Sequence, residues 1–192
     1  MAKDTRERLL KKGLETFMAK GYNNTGIQEV LAAVGVPKGS FYHYFKSKHD
    51  FGLQTLEHYA GEMMEMADQI FLDPDVSPLQ RLRNFFDNAR EMMAANCFSG
   101  GCLMGNMSQE MGDLCPEFEA VLEKKWCNMR DRFATCIREA RALGEINTEL
   151  PAEVLADFLI NSWQGALTRM KVAKSADPLD VFTTAVFDRL VA

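Results

Sequence analysis

Lys38, Gly39 and Ser40 stand together at the start of a short predicted helix, and their types suit contact with a polyanion. A lysine ammonium can donate to a phosphate or to O6 and N7 of guanine. Glycine lets the backbone approach a ligand closely, and a serine hydroxyl can donate or accept a hydrogen bond. Tyr42 and His43 follow and can reach phosphates. This cluster predicts recognition of a nucleic acid.

Thr25 and Lys48 lie where the sequence predicts helix N-termini. The unpaired N–H groups and the positive dipole end of a helix N-terminus favour phosphate binding. We therefore expect both residues to contact the phosphate backbone of the nucleic acid.

The second group of chemically capable residues is a set of five cysteines: Cys97, Cys102, Cys115, Cys127 and Cys136. An odd number cannot pair completely within one chain, and a reducing cytoplasm would keep them as thiols. Only Cys97 and Cys102 are close in sequence, and all three histidines precede residue 59. The sequence therefore predicts no structural metal site and no cofactor.

Cys102 differs from the other cysteines because it follows Ser99-Gly100-Gly101 and begins a predicted helix. A helix N-terminus favours the thiolate, which is the reactive form of cysteine. The two glycines leave room for an electrophile or an oxidant to approach. We expect Cys102 to be the most reactive of the five thiols.

The elements that must position these residues are helices nearly throughout. Apolar residues recur at helical spacing, and no segment alternates in the manner of a strand. Thr25 with Gln28, and Ser47 with Asp50, match the capping-box pattern. Breaks at Gly and Pro then divide the chain into nine predicted helices, at about 4–20, 25–34, 38–45, 48–71, 79–93, 102–111, 116–143, 151–173 and 177–192. The fold class predicted is all-α.

The charge is unevenly distributed along the chain. The net charge is −5, but residues 1–50 carry nine Lys and Arg against five Asp and Glu, whereas the remainder carries thirteen against twenty-two. A basic head on an acidic body indicates that the head alone binds a polyanion. No apolar run approaches the roughly 20 residues of a membrane span, and the N-terminus is charged, so we expect a cytoplasmic protein without membrane association.

Residues 25–48 combine a helix, a tight turn with Gly35 and a second short helix, which is the helix-turn-helix pattern. The run VPKGSFYHYFKSK at 36–48 resembles the recognition-helix signature of TetR-family regulators, and 25–35 resembles the helix that precedes it. The resemblance covers about residues 5–52. It implies a homodimeric transcriptional repressor that binds a palindromic double-stranded DNA operator and is released by a small-molecule effector.

The resemblance also assigns roles along the chain. Residues 1–47 would form the helix-turn-helix DNA-binding domain, and 48–192 the effector-sensing and dimerisation domain, with the last two helices packing against those of the partner. The DNA-contacting residues would be Thr25, Gly26, Lys38, Gly39, Ser40, Tyr42, His43 and Lys48. Family members commonly carry Thr or Ser where this chain has Gly26, which removes one expected phosphate contact.

The sensing half resembles one subgroup of that family, the electrophile-sensing repressors of N-ethylmaleimide reductase. The resemblance rests on residues 99–103 and on Gly165-Ala166 with Lys171. It implies Cys102 as the sensor with Lys171 near it, and we add Trp163 of the same predicted helix to the effector-sensing residues.

Three modes of action remain open from the sequence. The first is covalent modification of Cys102, and the second is a reversibly bound apolar ligand in a body rich in Met and Phe, although such residues more often form a core. The third is a cysteine-dependent enzyme, but no histidine of the body could serve Cys102 as a base and no catalytic motif is present. We therefore predict that the chain is not an enzyme.

Overall fold

The computed structural model describes residues 2–191, and these form nine α-helices and no strand. The helices are α1 (Ala2–Lys20), α2 (Ile27–Val34), α3 (Lys38–Tyr44), α4 (Lys48–Phe71), α5 (Pro78–Ala95), α6 (Leu103–Met111), α7 (Pro116–Ala142), α8 (Ala152–Ala173) and α9 (Asp177–Ala185). The all-α prediction is confirmed. Boundaries agree within two residues except at the end of α9, where a π-helical turn, Val186–Leu190, replaces the predicted continuation.

The start of α2 differs from the capping box predicted at Thr25 and Gln28. The N-cap is Gly26, and its backbone N–H donates to the carboxylate of Glu29 at 3.0 Å. Thr25 instead turns inward, and its hydroxyl donates to the carbonyl of Gly21 at 2.7 Å. The prediction was wrong because this hydroxyl has a closer internal acceptor, which leaves the cap to the next residue.

The start of α4 follows the sequence prediction. The Ser47 hydroxyl accepts the N–H of Asp50 at 3.1 Å, and the Asp50 carboxylate accepts the N–H of Lys46 at 2.7 Å. A hydrogen bond from Gln54 is the main cause that lowers the pKa of Asp50. This cap fixes where the long helix begins, one turn after α3 ends.

The chain forms two compact units, Met1–Glu62 with Cys102–Glu123, and Met63–Gly101 with Lys124–Ala192. The first is called the N-terminal unit here and the second the C-terminal unit. The chain passes between the units at three points, within α4, between α5 and α6, and within α7. The two-domain boundary at residue 47 stays a prediction based on the sequence.

An aromatic cluster forms the core of the N-terminal unit. The ring of Phe51 lies 5.7, 5.4 and 4.8 Å from those of Phe17, Phe41 and Phe45, measured between centroids. All four side chains are buried. Gly13 allows this approach, because a Cβ there would lie 2.3 Å from the Phe51 ring. Burial of such side chains is the main contribution to the stability of a small helical unit.

A second aromatic cluster lies in the C-terminal unit. The rings of Phe86, Trp163 and Phe182 have centroids 4.7–5.1 Å apart, which brings α5, α8 and α9 together. At the rim, Arg90 makes two hydrogen bonds to Asp180, at 2.5 and 3.2 Å. The aromatic contacts and the Arg90–Asp180 ion pair together fix the position of α9 against α5.

Candidate nucleic-acid interface and sensing residues

The turn between α2 and α3 is set by Gly35 and Pro37. Gly35 has φ of +67°, in the left-handed region that favours glycine, and it ends α2 with hydrogen bonds from residues 35 and 36 back to the last turn. Pro37 is the N-cap of α3, with an extended backbone. Two short helices joined by such a turn form a helix-turn-helix, in which the N-terminal end of the second helix reads bases in the major groove.

The two faces of α3 differ sharply. Phe41 is fully buried, and Phe45 just beyond the helix is 1% exposed. Both side chains therefore belong to the core. The opposite face consists of exposed or half-exposed residues, namely Lys38, Gly39, Ser40, Tyr42 and His43. All the residues predicted to contact DNA from this helix therefore share its outer surface.

The surroundings of this outer face suit a polyanion. The sequence has no Asp or Glu between Glu29 and Asp50, a stretch that contains Lys38, Lys46 and Lys48. Apart from its chain neighbours and the adjacent helix backbone, no described atom lies within 4 Å of a Cβ built on Gly39. The backbone of α3 is therefore open to an approaching ligand at that point.

The predicted phosphate site at the start of α2 is less open than expected. Thr25 is only 3% exposed and its hydroxyl is used internally. Glu29 accepts the N–H of Gly26 and also pairs with Lys20, whose hydrogen bond is the main cause that lowers the pKa of Glu29. A carboxylate thus already lies at the helix end where a phosphate was expected. Gly26 itself is exposed at this helix end, but its backbone N–H is bound to Glu29.

Lys48 is held by the turn that precedes α2. Its ammonium donates to the carbonyl of Asn23 at 3.2 Å and lies 4.6 Å from the centroid of the Tyr22 ring. Desolvation is the main cause that lowers its pKa, against the opposing influence of Glu110 and Glu29. The charge is therefore fixed in place beside the start of α4.

Glu110 of α6 is a residue that the sequence analysis missed. Its carboxylate accepts the backbone N–H groups of Tyr22 and Asn23, at 3.1 and 2.9 Å. Gly21 makes this possible, because it has φ of +88° and a Cβ there would lie 2.8 Å from the Glu110 carboxylate. No sequence signal marks Glu110, since its partners are almost ninety positions away. It ties α6 to the turn in front of the helix-turn-helix.

Cys102 is the N-cap of α6 and is half-buried. Its thiol and the backbone of Leu103 lie beside the hydroxyl of Tyr59 and influence that group. Tyr59 as a whole residue is half-buried, but desolvation of its hydroxyl, with the Cys102 thiol as a second cause, raises the pKa of Tyr59 well above its ordinary range. Tyr59 is therefore a neighbour of Cys102 that no sequence signal indicated.

The other two predicted sensing residues belong to the C-terminal unit. Gly101, with φ of +78°, lies against Lys171, whose Cδ would be 3.3 Å from a Cβ at that position. Lys171 is in the last turn of α8. Trp163 is 5% exposed and packed in the aromatic cluster with Phe86 and Phe182, so its main contacts are those of a core residue.

The outer surface of α8 and α9 carries exposed apolar side chains. Val154, Phe158 and Val181 are 51%, 48% and 69% exposed. A groove of about 870 Å³ runs between the two helices, and Phe158, Ala166, Val181 and Ala185 are among the residues that line it. Leu155, Leu159 and Leu167 of the same helix are buried in the core. The exposed apolar surface is therefore a narrow part of these two helices.

Two family models match this chain. Residues 9–52 match the bacterial regulatory proteins of the tetR family, and residues 78–186 match the tetracyclin repressor-like C-terminal domain. The chain belongs to the TetR family. The family resemblance stated from the sequence is confirmed, and it makes this chain a DNA-binding transcriptional repressor.

Curated relatives support this assignment over nearly the whole chain. The chain is 44% identical to the transcriptional regulator AcuR of Cereibacter sphaeroides, over 91% of this chain and 80% of the relative. It is 38% identical to the HTH-type transcriptional repressor DhaR of Mycobacterium sp. strain GP1, over 97% and 92%. It is 27% identical to the HTH-type transcriptional repressor NemR of Escherichia coli K12, over 92% and 89%.

Solved structures agree with the fold. A regulatory protein TetR from Rhodobacter sphaeroides superposes with a TM-score of 0.91 at 42% identity, covering 97% of this chain and 98% of that one. The reduced form of E. coli NemR superposes with a TM-score of 0.85 at 28% identity, covering 98% and 97%. TetR-family regulators bind DNA and small-molecule effectors and are typically dimers. Within the described residues of this TetR-family chain, no helix is long and apolar enough to cross a membrane.

Proposed function

We propose that this TetR-family repressor reads its operator with the outer face of α3. Lys38 and Ser40 would contact base edges, and Tyr42 and His43 would contact phosphates on either side. Gly39 would lie where the backbone comes closest to the groove. Lys48 and the exposed start of α2 at Gly26 would position the head on the sugar-phosphate strand.

The observation that carries this proposal is the division of α3 into a buried aromatic face and an outer face without carboxylates. Phe41 anchors one side, while Lys38, Gly39 and Tyr42 are exposed on the other. A helix used only for packing does not need an open basic surface. Phosphate binding supplies most of the non-specific affinity for DNA, and an open basic surface favours phosphate binding. Thr25, whose hydroxyl is internal, would act through its position rather than through its side chain.

The operator is proposed to be palindromic because two copies of the chain would present two identical heads. One head offers a short half-site, whereas two heads one helical turn apart give the specificity that a genome requires. The exposed apolar groove between α8 and α9 supports a dimer, since such patches on a surface mark interfaces. A two-fold interface would cover the groove in both copies.

Release from DNA is proposed to follow from a small molecule acting at the start of α6. Modification of Cys102 by an electrophile or oxidant would disturb its packing against Tyr59 at the start of this helix. Lys171 and Trp163 stay predicted members of the sensing site. The similarity to NemR, whose solved structure is described as the reduced form, supports a mode that depends on the state of a thiol. A reversibly bound apolar ligand stays the second candidate.

We propose no catalytic activity for the chain. The relatives that match over its length carry the names of transcriptional regulators. Turnover of a substrate by the purified protein would overturn this part of the proposal.

Lys38→Ala tests the DNA interface most directly. We expect a loss of about 1–3 kcal/mol, roughly 5- to 150-fold in Kd, on a duplex selected from a random pool, with a smaller loss on unselected DNA. Lys48→Ala should weaken binding to the selected duplex and to unselected DNA equally. It should also reduce the slope of log affinity against log salt concentration by about one unit. Lys124→Ala, an exposed lysine of α7, is the control and should change neither. Fluorescence anisotropy at fixed salt measures all three. An equal loss on both duplexes for Lys38→Ala would assign that lysine to a phosphate.

Cys102→Ser separates the two modes of release. Under the covalent mode, the variant binds DNA as the parent does but no longer dissociates after treatment with N-ethylmaleimide. Cys97→Ser, which replaces an exposed cysteine, should keep the response. A Cys102→Ser protein that is still released by the electrophile would favour the reversible ligand or another thiol.

A further inference from the structure

Three residues of different types meet in the N-terminal unit, although none was predicted to lie near another. His49 Nε2 lies 3.2 Å from the Sγ of Cys115 and 2.9 Å from an oxygen of Glu117. The same carboxylate oxygen is 3.7 Å from the Cys115 Sγ. One nitrogen, one sulfur and one oxygen thus form a small triangle in which each atom can donate an electron pair to a metal ion.

The size of this triangle matches one face of a tetrahedral zinc site. Zinc binds sulfur at about 2.3 Å, and imidazole nitrogen and carboxylate oxygen at about 2.0–2.2 Å. With tetrahedral angles, those bond lengths place the ligand atoms roughly 3.4–3.6 Å from one another. The observed edges are 2.9, 3.2 and 3.7 Å. Movement of the imidazole by a few tenths of an ångström would open the two short edges enough for the ion.

The protein positions the three ligands through two helix starts. His49 is in the first turn of α4, and Glu117 is in the first turn of α7, directly after the loop that carries Cys115. The imidazole packs at 84° against the ring of Phe118, with centroids 5.2 Å apart, and Phe118 is fully buried. A buried ring against the imidazole reduces its freedom to rotate. The side chains of His49 and Glu117 are 37% and 69% exposed, so an ion can enter directly from solvent.

We propose that His49, Cys115 and Glu117 form a binding site for a divalent ion of the zinc class. The three side chains would supply three ligands and water the fourth, as in zinc sites that keep an open position. Binding would displace the thiol proton of Cys115 to solvent as the metal–sulfur bond forms. A thiolate and an imidazole select against Mg²⁺ and Ca²⁺, which take oxygen ligands. The site is distinct from the DNA-contacting face of α3 and from Cys102, and it does not rest on the proposed function.

Cobalt titration of the reduced, chelator-stripped, full-length protein tests the site. Co²⁺ occupies zinc sites, and its thiolate charge-transfer absorption reports on sulfur ligation. We expect the absorption to saturate at one Co²⁺ per chain and to be displaced by Zn²⁺. Zinc should also raise the midpoint of thermal unfolding, because an ion that binds only the folded chain stabilises it.

Variants of each ligand identify the site. Cys115→Ser should abolish the charge-transfer band, while His49→Gln and Glu117→Gln should weaken Co²⁺ binding by more than the roughly 10- to 100-fold that loss of an outer-shell partner costs. Cys97→Ser is the matched control and should keep both the band and its stoichiometry. Circular dichroism verifies that each variant is folded. If Cys115→Ser does not fold, the conservative His49→Gln variant tests the site in its place.

Two results would overturn the proposal. One is the absence of a charge-transfer band in the parent protein at a several-fold excess of Co²⁺. The other is a band that persists unchanged in folded Cys115→Ser or His49→Gln. In either case the three side chains form a hydrogen-bonded cluster without a metal. DNA binding by the same preparations is an independent readout, so failure of the metal site leaves the repressor function intact.

Discussion

Replacement of Gly39 by alanine should stabilise the protein and at the same time weaken DNA binding. Gly39 is the second residue of α3, its φ is not positive, and nothing in the described chain lies within 4 Å of an added Cβ. The methyl group therefore meets no steric opposition in the free protein. Alanine in a helix is favoured over glycine by roughly 0.5–1 kcal/mol, because an alanine residue loses less backbone entropy than a glycine when the chain folds.

The expected rise in the unfolding midpoint is small but measurable. For a chain of this size, 1 kcal/mol corresponds to about 2–4 °C, so Gly39→Ala should raise the midpoint by roughly 1–4 °C. In the complex, the same methyl group would occupy the space through which the helix backbone approaches the groove. Overpacking of a close contact costs about 1–3 kcal/mol, which corresponds to a loss of about 5- to 150-fold in DNA affinity.

Gly61→Ala is a matched control for this experiment. Gly61 lies within α4, and a Cβ there also meets nothing within 4 Å. It should give a similar stabilisation with no change in DNA affinity. Calorimetry and fluorescence anisotropy at one salt concentration measure the two quantities for each variant. If Gly39→Ala binds the selected duplex as tightly as the parent does, the backbone of α3 is not at the DNA surface and the assignment of its outer face fails.

Three further substitutions or measurements follow from the structure. Gly26→Ser should stabilise α2 by a few tenths of a kcal/mol through a side-chain cap and should tighten DNA binding, whereas an unchanged Kd would remove this position from the phosphate contacts. Glu110→Ala should destabilise the protein by about 1–3 kcal/mol in denaturant titrations, because the N–H groups of Tyr22 and Asn23 lose a charged acceptor, and Glu110→Gln should cost less. Burial raises the pKa of Cys136 to about 12, so mass spectrometry after limited alkylation should find it labelled last, and early labelling would contradict its burial.

The helices were predictable because their signals are local. Ser47 and Asp50 determine the start of α4 from within one turn, and Gly35 and Pro37 determine the turn of the helix-turn-helix. The start of α2 was not predictable by the same rule. Both Gln28 and Glu29 are candidates for a capping box, and the contact between Thr25 and Gly21 decides between them.

The residues missed by the sequence analysis depend on contacts between distant segments. His49 and Cys115 are 66 positions apart, so their meeting at 3.2 Å cannot be read from spacing. Tyr59 and Glu110 likewise act on partners in other helices. Apolar residues on α8 and α9 show the converse limit. Periodicity identifies a wide apolar face, but it does not show which of its residues are buried within the same chain. Leu159 is buried in this way, whereas Phe158 is exposed.

The attachment of α6 at both of its ends has a mechanical consequence. Nine residues at 1.5 Å each make it a strut of roughly 13 Å, with Tyr59 at its first residue and the Glu110 carboxylate near its last. Every turn of a helix is hydrogen-bonded, so a displacement at the Cys102 end would be transmitted along α6 to the turn before α2. Under the release mechanism proposed above, the recognition helix would need no direct contact with Cys102. Gly21, which no residue with a side chain could replace without disturbing Glu110, is the point where that displacement would reach the turn before α2.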